Sequence, residues 1–427
     1  MQKILLKPYK YKIFIMMLCY YGLLSFLNFA YIIHANAFLS VSINTHSVFE
    51  FLGYRFIWIT LGILFNIFII NFLKISDFAY SILILILIFF VIPAGLLYAS
   101  NTIVPVKIFL LNNLFFYSVW FFLSINLKIN APILNSNQAA KVLMIITTIG
   151  IIPFVYLYWP YIDLKNLLLI DIYKTRALVD TNIDNNYTGY TYSWYSKIIL
   201  PVILVFFIYY KNKIGVMAAF AFLIFFYLCG AHRTVFLGAI AVLVFYKYGY
   251  LKKTYLLVKF LCIIGLTGLL LQFLFDWNYF WTITLHRIFT LNALLDYCFF
   301  DFFNHKAIYW SDSFMAKIIE YPYDVLPSHI IGKEYLNNPT TNANSGIIAN
   351  GYKNAGIIGV FINILIVSLF FSFLNSFKIS AKFFGLFILL MFTFTNASLA
   401  GSILTHGLLV LFFVCMFVLR NTKFSLT

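Results

Sequence analysis

Phe78-Ala-Tyr-Ser-Ile-Leu-Ile-Leu-Ile-Leu-Ile-Phe-Phe-Val-Ile-Pro-Ala-Gly-Leu-Leu-Tyr-Ala99 decides the fold. It carries no charged side chain and is as long as the ~20 residues a helix needs to cross a bilayer core. Working outward, similar runs cover about 12–34, 51–73, 104–126, 140–160, 197–210, 213–230, 234–247, 254–275, 354–376, 383–400 and 404–419. Three of the middle runs are short and leave little room for tilt. Composition agrees. Of 427 residues 63% are hydrophobic, 51 are Phe and only 10% are charged, against about 25% charged in a typical globular domain. That excludes a water-soluble enzyme, a nucleic-acid binder and a disordered chain. The expected fold is all-α: one polytopic integral membrane domain over 1–427, with about 12 transmembrane helices.

The net charge of +16 fits a membrane protein under the positive-inside rule. With the N-terminus inside, the inner segments hold 17 Lys and Arg against one acid, Asp77, and the outer segments hold 12 of each sign. Both termini are therefore expected in the cytoplasm. The basic start leads into an apolar run with no small-residue cleavage pattern, which reads as a retained signal-anchor. Two large outer loops are expected, 161–196 and 276–350, and they hold 11 of the 13 acids. In the second, Phe280–Phe289 and Ala293–Phe303 have helical apolar spacing and are expected as short amphipathic helices on the membrane surface. The five cysteines show no CxxC spacing, so neither a disulfide framework nor a metal site is expected.

Chemistry is sought in the outer loops. A coupled transporter would place acids inside helices, or break helices at Gly and Pro near the midplane, and neither is evident here. Four of the five arginines, Arg55, Arg176, Arg233 and Arg287, fall on the outer side. Lys suffices for topology, whereas a planar guanidinium grips phosphate in two places at once. The set suits a lipid pyrophosphate; for Arg55, snorkelling is the plainer reading. All seven histidines (His34, His46, His232, His286, His305, His329 and His406) also fall outside, and His or a carboxylate can activate a sugar hydroxyl. His305 and His329 follow loop helices. No DxD-type cluster is present, so no metal or other cofactor is expected. The Asn/Gly-rich stretch Asn342–Gly359 reads either as an anion-friendly helix start or as helix packing through Gly356 and Gly359.

Three stretches carry a resemblance: Asp171-Ile-Tyr-Lys-Thr-Arg176 with Tyr190–Pro201; His286-Arg287-Ile-Phe with Asp296-Tyr-Cys-Phe-Phe-Asp301; and Asn344-Ser-Gly-Ile-Ile-Ala-Asn-Gly351-Tyr-Lys-Asn-Ala-Gly356. Over roughly 160–370 the chain resembles the Wzy-type O-antigen and capsule polymerases of bacterial inner membranes. The resemblance implies a GT-C-like membrane glycosyltransferase whose active site faces the periplasm. Such an enzyme transfers a growing glycan from undecaprenyl pyrophosphate to the non-reducing end of a lipid-linked repeat unit, and undecaprenyl pyrophosphate leaves. It further implies pyrophosphate binding by Arg176, Arg233 and Arg287, a base among Asp301, His305 and His329, and sugars stacked on aromatic loop residues. The implied partners are the undecaprenyl-pyrophosphate-linked oligosaccharide, the bilayer, a chain-length regulator and a flippase, with no nucleic acid. The alternatives are an O-antigen ligase, a lipid-linked oligosaccharide flippase and a non-catalytic scaffold.

Overall fold

A computed structural model describes residues 8–38, 50–125, 134–168, 172–232, 234–304 and 306–420, together with 127, 129, 132 and 170. Arg233, His305 and His46 lie outside the described residues. Among the described residues the chain is helical without strands. Nine helices among the described residues are long and apolar enough to cross a membrane. They are α1 (Pro8–Phe38), α2 (Gly53–Phe72), α3 (Asp77–Ala99), α4 (Val106–Ser124), α5 (Gln138–Tyr161), α7 (Asn186–Tyr209), α8 (Lys213–Gly230), α10 (Tyr250–Phe275) and α13 (Ile347–Ser376). Three apolar helices are shorter: α9 (Thr234–Val244), α14 (Phe384–Asn396) and α15 (Leu408–Leu419). The remainder are α6 (Ile172–Asn182), α11 (279–302), α12 (Pro327–Leu336) and a few short turns of helix such as Leu399–Ile403. The chain divides into two compact units: Met1–Asn126 with Tyr250–Ser372 and Met391–Leu399, and Leu127–Gly249 with Phe373–Leu390 and Ala400–Thr427.

In the first unit α3 is the core, 94% of its span being buried. It starts on Ser76, whose hydroxyl accepts from the Ala79 amide as an N-cap. Polar residues tie α2 and α4 together: Asn66 Nδ2 donates to Asn113 Oδ1 at 2.7 Å, and Tyr117 OH donates to Asn66 Oδ1 at 2.6 Å. In an apolar surrounding such bonds hold helices where apolar contact alone does not discriminate.

Arg55 is a staple of this unit. Its guanidinium donates to the carbonyls of Asn101 (2.9 Å), Thr102 (3.1 Å) and Val104 (3.3 Å) and lies 4.5 Å from the Tyr98 ring centroid. The turn between α3 and α4 is thus wrapped on one side chain: both terminal nitrogens donate to backbone, and Nε donates to Tyr54 OH at 3.1 Å. Neither a phosphate grip nor simple snorkelling describes it. Arg55→Ala is expected to destabilise by roughly 1–3 kcal/mol and to open the 100–105 turn to proteolysis, both read on purified protein in detergent. A phosphate ligand would instead lose activity with stability unchanged.

The second expected loop differs from its sequence reading. α11 runs unbroken from 279 to 302, with a nine-residue π-helical stretch at Thr282–Thr290, and it packs against the spans rather than lying clear of them. Leu285 reaches Gly265 of α10, and Phe289 lies 5.0 Å from Phe89 and 6.3 Å from Tyr20, both mid-span. Its small polar residues made it look superficial, yet Asn292 and Asp296 are buried.

α13 is broken, against the expectation of intact helices. Ala355 (φ −149°, ψ 31°) and Gly356 (φ 59°, ψ −144°) are non-helical, and the chain reverses there. Asn363 Nδ2 donates to the Ile347 carbonyl at 2.8 Å. In a straight helix those residues would stand ~24 Å apart. The arms 347–354 and 357–376 cross where Gly351 and Gly359 meet backbone to backbone. The two glycines do serve helix packing, as a hairpin rather than between separate helices. At the hairpin base the Gly346 amide donates to Asp296 Oδ1 at 2.9 Å, so the anion-friendly helix start already holds a carboxylate of the chain itself. At the tip, the Ile308 and Tyr309 amides donate to the Lys353 and Asn354 carbonyls at 3.1 and 2.9 Å. Lys353 Nζ meets Asp312 Oδ2 at 2.5 Å. Tyr309 (φ 49°) and Trp310 (φ 59°) are left-handed non-glycine residues in this clasp.

In the second unit, Phe154 centres a ring cluster with Tyr158, Tyr192, Tyr195 and Phe226 at 5.0–6.3 Å. α7 begins at Asn186, inside the stretch expected as loop 161–196. Asn185 caps it by accepting from the Thr188 amide, and Thr191 and Ser196 return their hydroxyls to carbonyls four residues back. With their polar atoms satisfied, these low-hydropathy residues fit a span.

Candidate functional site

The second unit collects cationic and imidazole groups around the start of α7. Arg176, on the short helix α6, donates through Nη2 to the Ala231 carbonyl at 2.8 Å, while its Nε is buried without a partner. Ala231 is the left-handed residue (φ 50°) that ends α8 and opens the turn to α9. His232 follows it, edge-on to Tyr192 at 5.9 Å, and Tyr192 OH is anchored on the Phe226 carbonyl at 2.8 Å.

Lys197 lies in the π-helical turn Tyr195–Ile199 of α7. A π turn adds a residue to the helix and swings the side chains that follow, and such turns recur at functional sites. Gly238 of α9 closes on the Lys197 backbone; a Cβ there would meet the Lys197 carbonyl at 3.1 Å. Lys197 is half-buried and, among the described residues, has neither an ion pair nor a hydrogen bond through its amine. His406 enters from the C-terminal segment. Its Nδ1 is buried and unpartnered, and its loop is pinned by Trp194 Nε1 donating to the Leu404 carbonyl at 2.6 Å.

Electrostatics link these residues. Partial desolvation pushes the His232 imidazole below its usual value, and the charges of Arg176 and Lys197 add to the effect against Asp180. Burial pushes His406 down to about 4, with Lys197 adding to it. Both imidazoles are therefore held toward their neutral form, beside the Arg176 guanidinium and the Lys197 amine. Unspent N–H donors on a guanidinium, a nearby lysine amine and imidazoles suit an anion with several oxygen acceptors.

The other expected site residues fall in the first unit. Arg287 is exposed on α11 and has no partner among the described residues. Its neighbour His286 is buried and pushed down to about 4. Asp301 ends α11 exposed and accepts from Tyr335 OH of α12 at 2.7 Å. His329 is half-buried on α12 with Nδ1 buried and unpartnered, and no bond joins it to Asp301 among the described residues. Lys107, at the start of α4, bonds only neutral groups among the described residues: Asn304 Oδ1 at 3.0 Å and Tyr352 OH at 2.8 Å.

Sequence reasoning singled out Arg176 but passed over Lys197, and it counted His232 and His406 among the histidines without assigning either to the site. A lone lysine inside the run before Ile198-Ile-Leu-Pro201 was the available signal. Lys107 and Tyr335 left none. Compared with protein-family models, with curated proteins and with solved structures, the chain matches none.

Proposed function

We propose that this multi-pass membrane protein is a Wzy-type polysaccharide polymerase: a GT-C-like glycosyltransferase of the bacterial inner membrane working on the periplasmic side. The reading is supported by the resemblance over 160–370 and carried by one observation, the acid-poor cluster of Arg176, Lys197, His232 and His406 with its unspent donors. That cluster would take the diphosphate of undecaprenyl pyrophosphate, and the resemblance adds Arg233. A hydroxyl at the non-reducing end of a lipid-linked repeat attacks the anomeric carbon of the growing glycan. The carbon–oxygen bond to diphosphate breaks, and undecaprenyl pyrophosphate departs with both bonding electrons. The hydroxyl proton passes to a base among Asp301, His305 and His329. Asp301 has an exposed carboxylate steadied by Tyr335, and Arg287, exposed on the same helix, has no partner among the described residues. The lipid-linked oligosaccharide is the substrate, and a flippase and a chain-length regulator would be the partners.

The broken α13 and the buried Asp296 favour a lipid-linked oligosaccharide flippase as the second reading, since discontinuous helices and intramembrane acids mark translocation paths.

A lipopolysaccharide gel of a deletion strain tests both. A polymerase leaves core plus one repeat, a flippase leaves core with no repeat, and a ligase leaves bare core with long lipid-linked chains. Complementation with Arg176→Ala or Lys197→Ala should lower long-chain product about 10- to 100-fold at normal expression, the range expected for one charge-assisted bond. Arg176→Lys should fail as well, because it lacks the fork. A full ladder from both alanine variants would overturn the site.

A further inference from the structure

We propose that the first unit holds a binding site for a small monovalent cation of sodium's size, between Asp296, Asn112, Asn292 and Thr395. These four are the polar lining of an internal cavity otherwise walled by apolar groups such as Phe89 and Phe90. Its volume is about 10 Å³ for the centre of a water-sized particle, room for one. Asp296, Asn112, Asn292 and Thr395 are all buried, between 3% and 7% exposed.

The case rests on an imbalance of donors and acceptors. Asn112 gives its amide nitrogen to the Ile108 carbonyl at 2.8 Å. Asn292 gives its own to the Ile288 carbonyl at 2.7 Å and to Thr395 Oγ1 at 3.2 Å. These bonds fix both amide orientations and leave the amide oxygens over. The Thr395 hydroxyl hydrogen goes to the Phe392 carbonyl at 2.9 Å. Asp296 Oδ1 takes the Gly346 amide, and Oδ2 has no donor among the described residues. One carboxylate oxygen and two amide oxygens therefore share a cavity with at most one amide hydrogen left to serve them. A buried carboxylate without a counter-charge is costly, and the helix end at Gly346 offsets only part of that cost.

A hard monovalent cation answers both needs at once, with charge for Asp296 and a partner for several neutral oxygens. A divalent ion is disfavoured because a single carboxylate would leave net positive charge in an apolar wall. The cation would join α4, α11 and α14 to the base of the α13 hairpin. Irregular backbone at such depth is tolerated only where its polar groups are satisfied.

The purified protein in detergent should show the site directly. At fixed ionic strength and pH, replacing N-methylglucamine chloride with NaCl should raise the thermal midpoint saturably. The rise should be about 3–6 °C at a hundredfold excess over Kd, with KCl clearly less effective. Wild type should bind one equivalent of ²²Na⁺. Asp296→Asn should bind none and show no sodium-dependent rise. If that variant does not fold, Asn112→Ala serves in its place and should weaken the sodium dependence severalfold. An absent sodium rise in wild type, an equal rise in KCl, or an unchanged sodium rise in the variants overturns the site. In that case the cavity holds a water beside a protonated Asp296.

Discussion

Gly359→Val is expected to leave little or no folded protein in the membrane. A Cβ at Gly359 would fall on the Gly351 carbonyl oxygen and within 3.2 Å of the Ala355 Cβ. The obstacle is backbone held in a tight hairpin, so no side chain can swing aside to relieve it. Overpacking of this kind costs more than the usual ~1–3 kcal/mol, and an expected loss above ~4 kcal/mol is a large part of a domain's stability. Gly351→Val should do the same, because its Cβ would meet the Gly359 carbonyl from the other side. Gly356→Ala should be milder: there is open space around it, but φ +59° disfavours a side chain by about 1–3 kcal/mol. Gly22→Val on α1 has nothing within 4 Å and is the control. The monodisperse fraction of detergent-extracted protein, read by size exclusion, reports the order. If Gly359→Val extracts like wild type, the hairpin crossing is wrong.

Asp312→Ala should cost about 3–5 kcal/mol, the usual penalty for removing one partner of a buried ion pair. Lys353 is only 5% exposed, and its ammonium would lose its carboxylate in an apolar setting. The pair also holds the loop whose amides cap the hairpin tip, so the clasp at Ile308 and Tyr309 should loosen with it. Replacing both partners by apolar groups, Asp312→Leu with Lys353→Met, should recover most of the loss, since it removes the charge along with its partner. Thermal midpoints of the wild type, the two single variants and the double variant form a cycle. A double variant no better than Asp312→Ala would mean that the two side chains do not act as a pair.

The sequence made some of this legible and concealed the rest, for physical reasons. α3 was readable because an uninterrupted apolar run of that length has few alternatives. The first turns of α7 were not. Asn186–Ser196 has the composition of a loop, and only bonds from its hydroxyls to its own helix, with tyrosine packing on Phe154, make it part of a span. The α13 break was hidden because the Asn/Gly-rich stretch before the apolar run reads equally as a helix start, and the reversal depends on Gly351 and Gly359 finding each other. For the candidate site, Arg176 stood out by type alone. Lys197, His232 and His406 come from distant segments, and no spacing along the chain announces that they converge. Arg55 shows the converse: a conspicuous residue type whose terminal nitrogens are spent on backbone carbonyls.

The break at Ala355–Gly356 also settles a question of hydrophobic thickness. An unbroken 30-residue helix over Ile347–Ser376 would be ~45 Å long, about half as long again as the ~30 Å hydrocarbon core, and would have to tilt steeply or thicken the bilayer around it. Folding back the first arm leaves 357–376 as the crossing piece, ~30 Å long, which matches the core without tilt. The surplus apolar length is taken up inside the protein, so the crossing piece asks neither for steep tilt nor for local thickening in a bilayer of ordinary thickness.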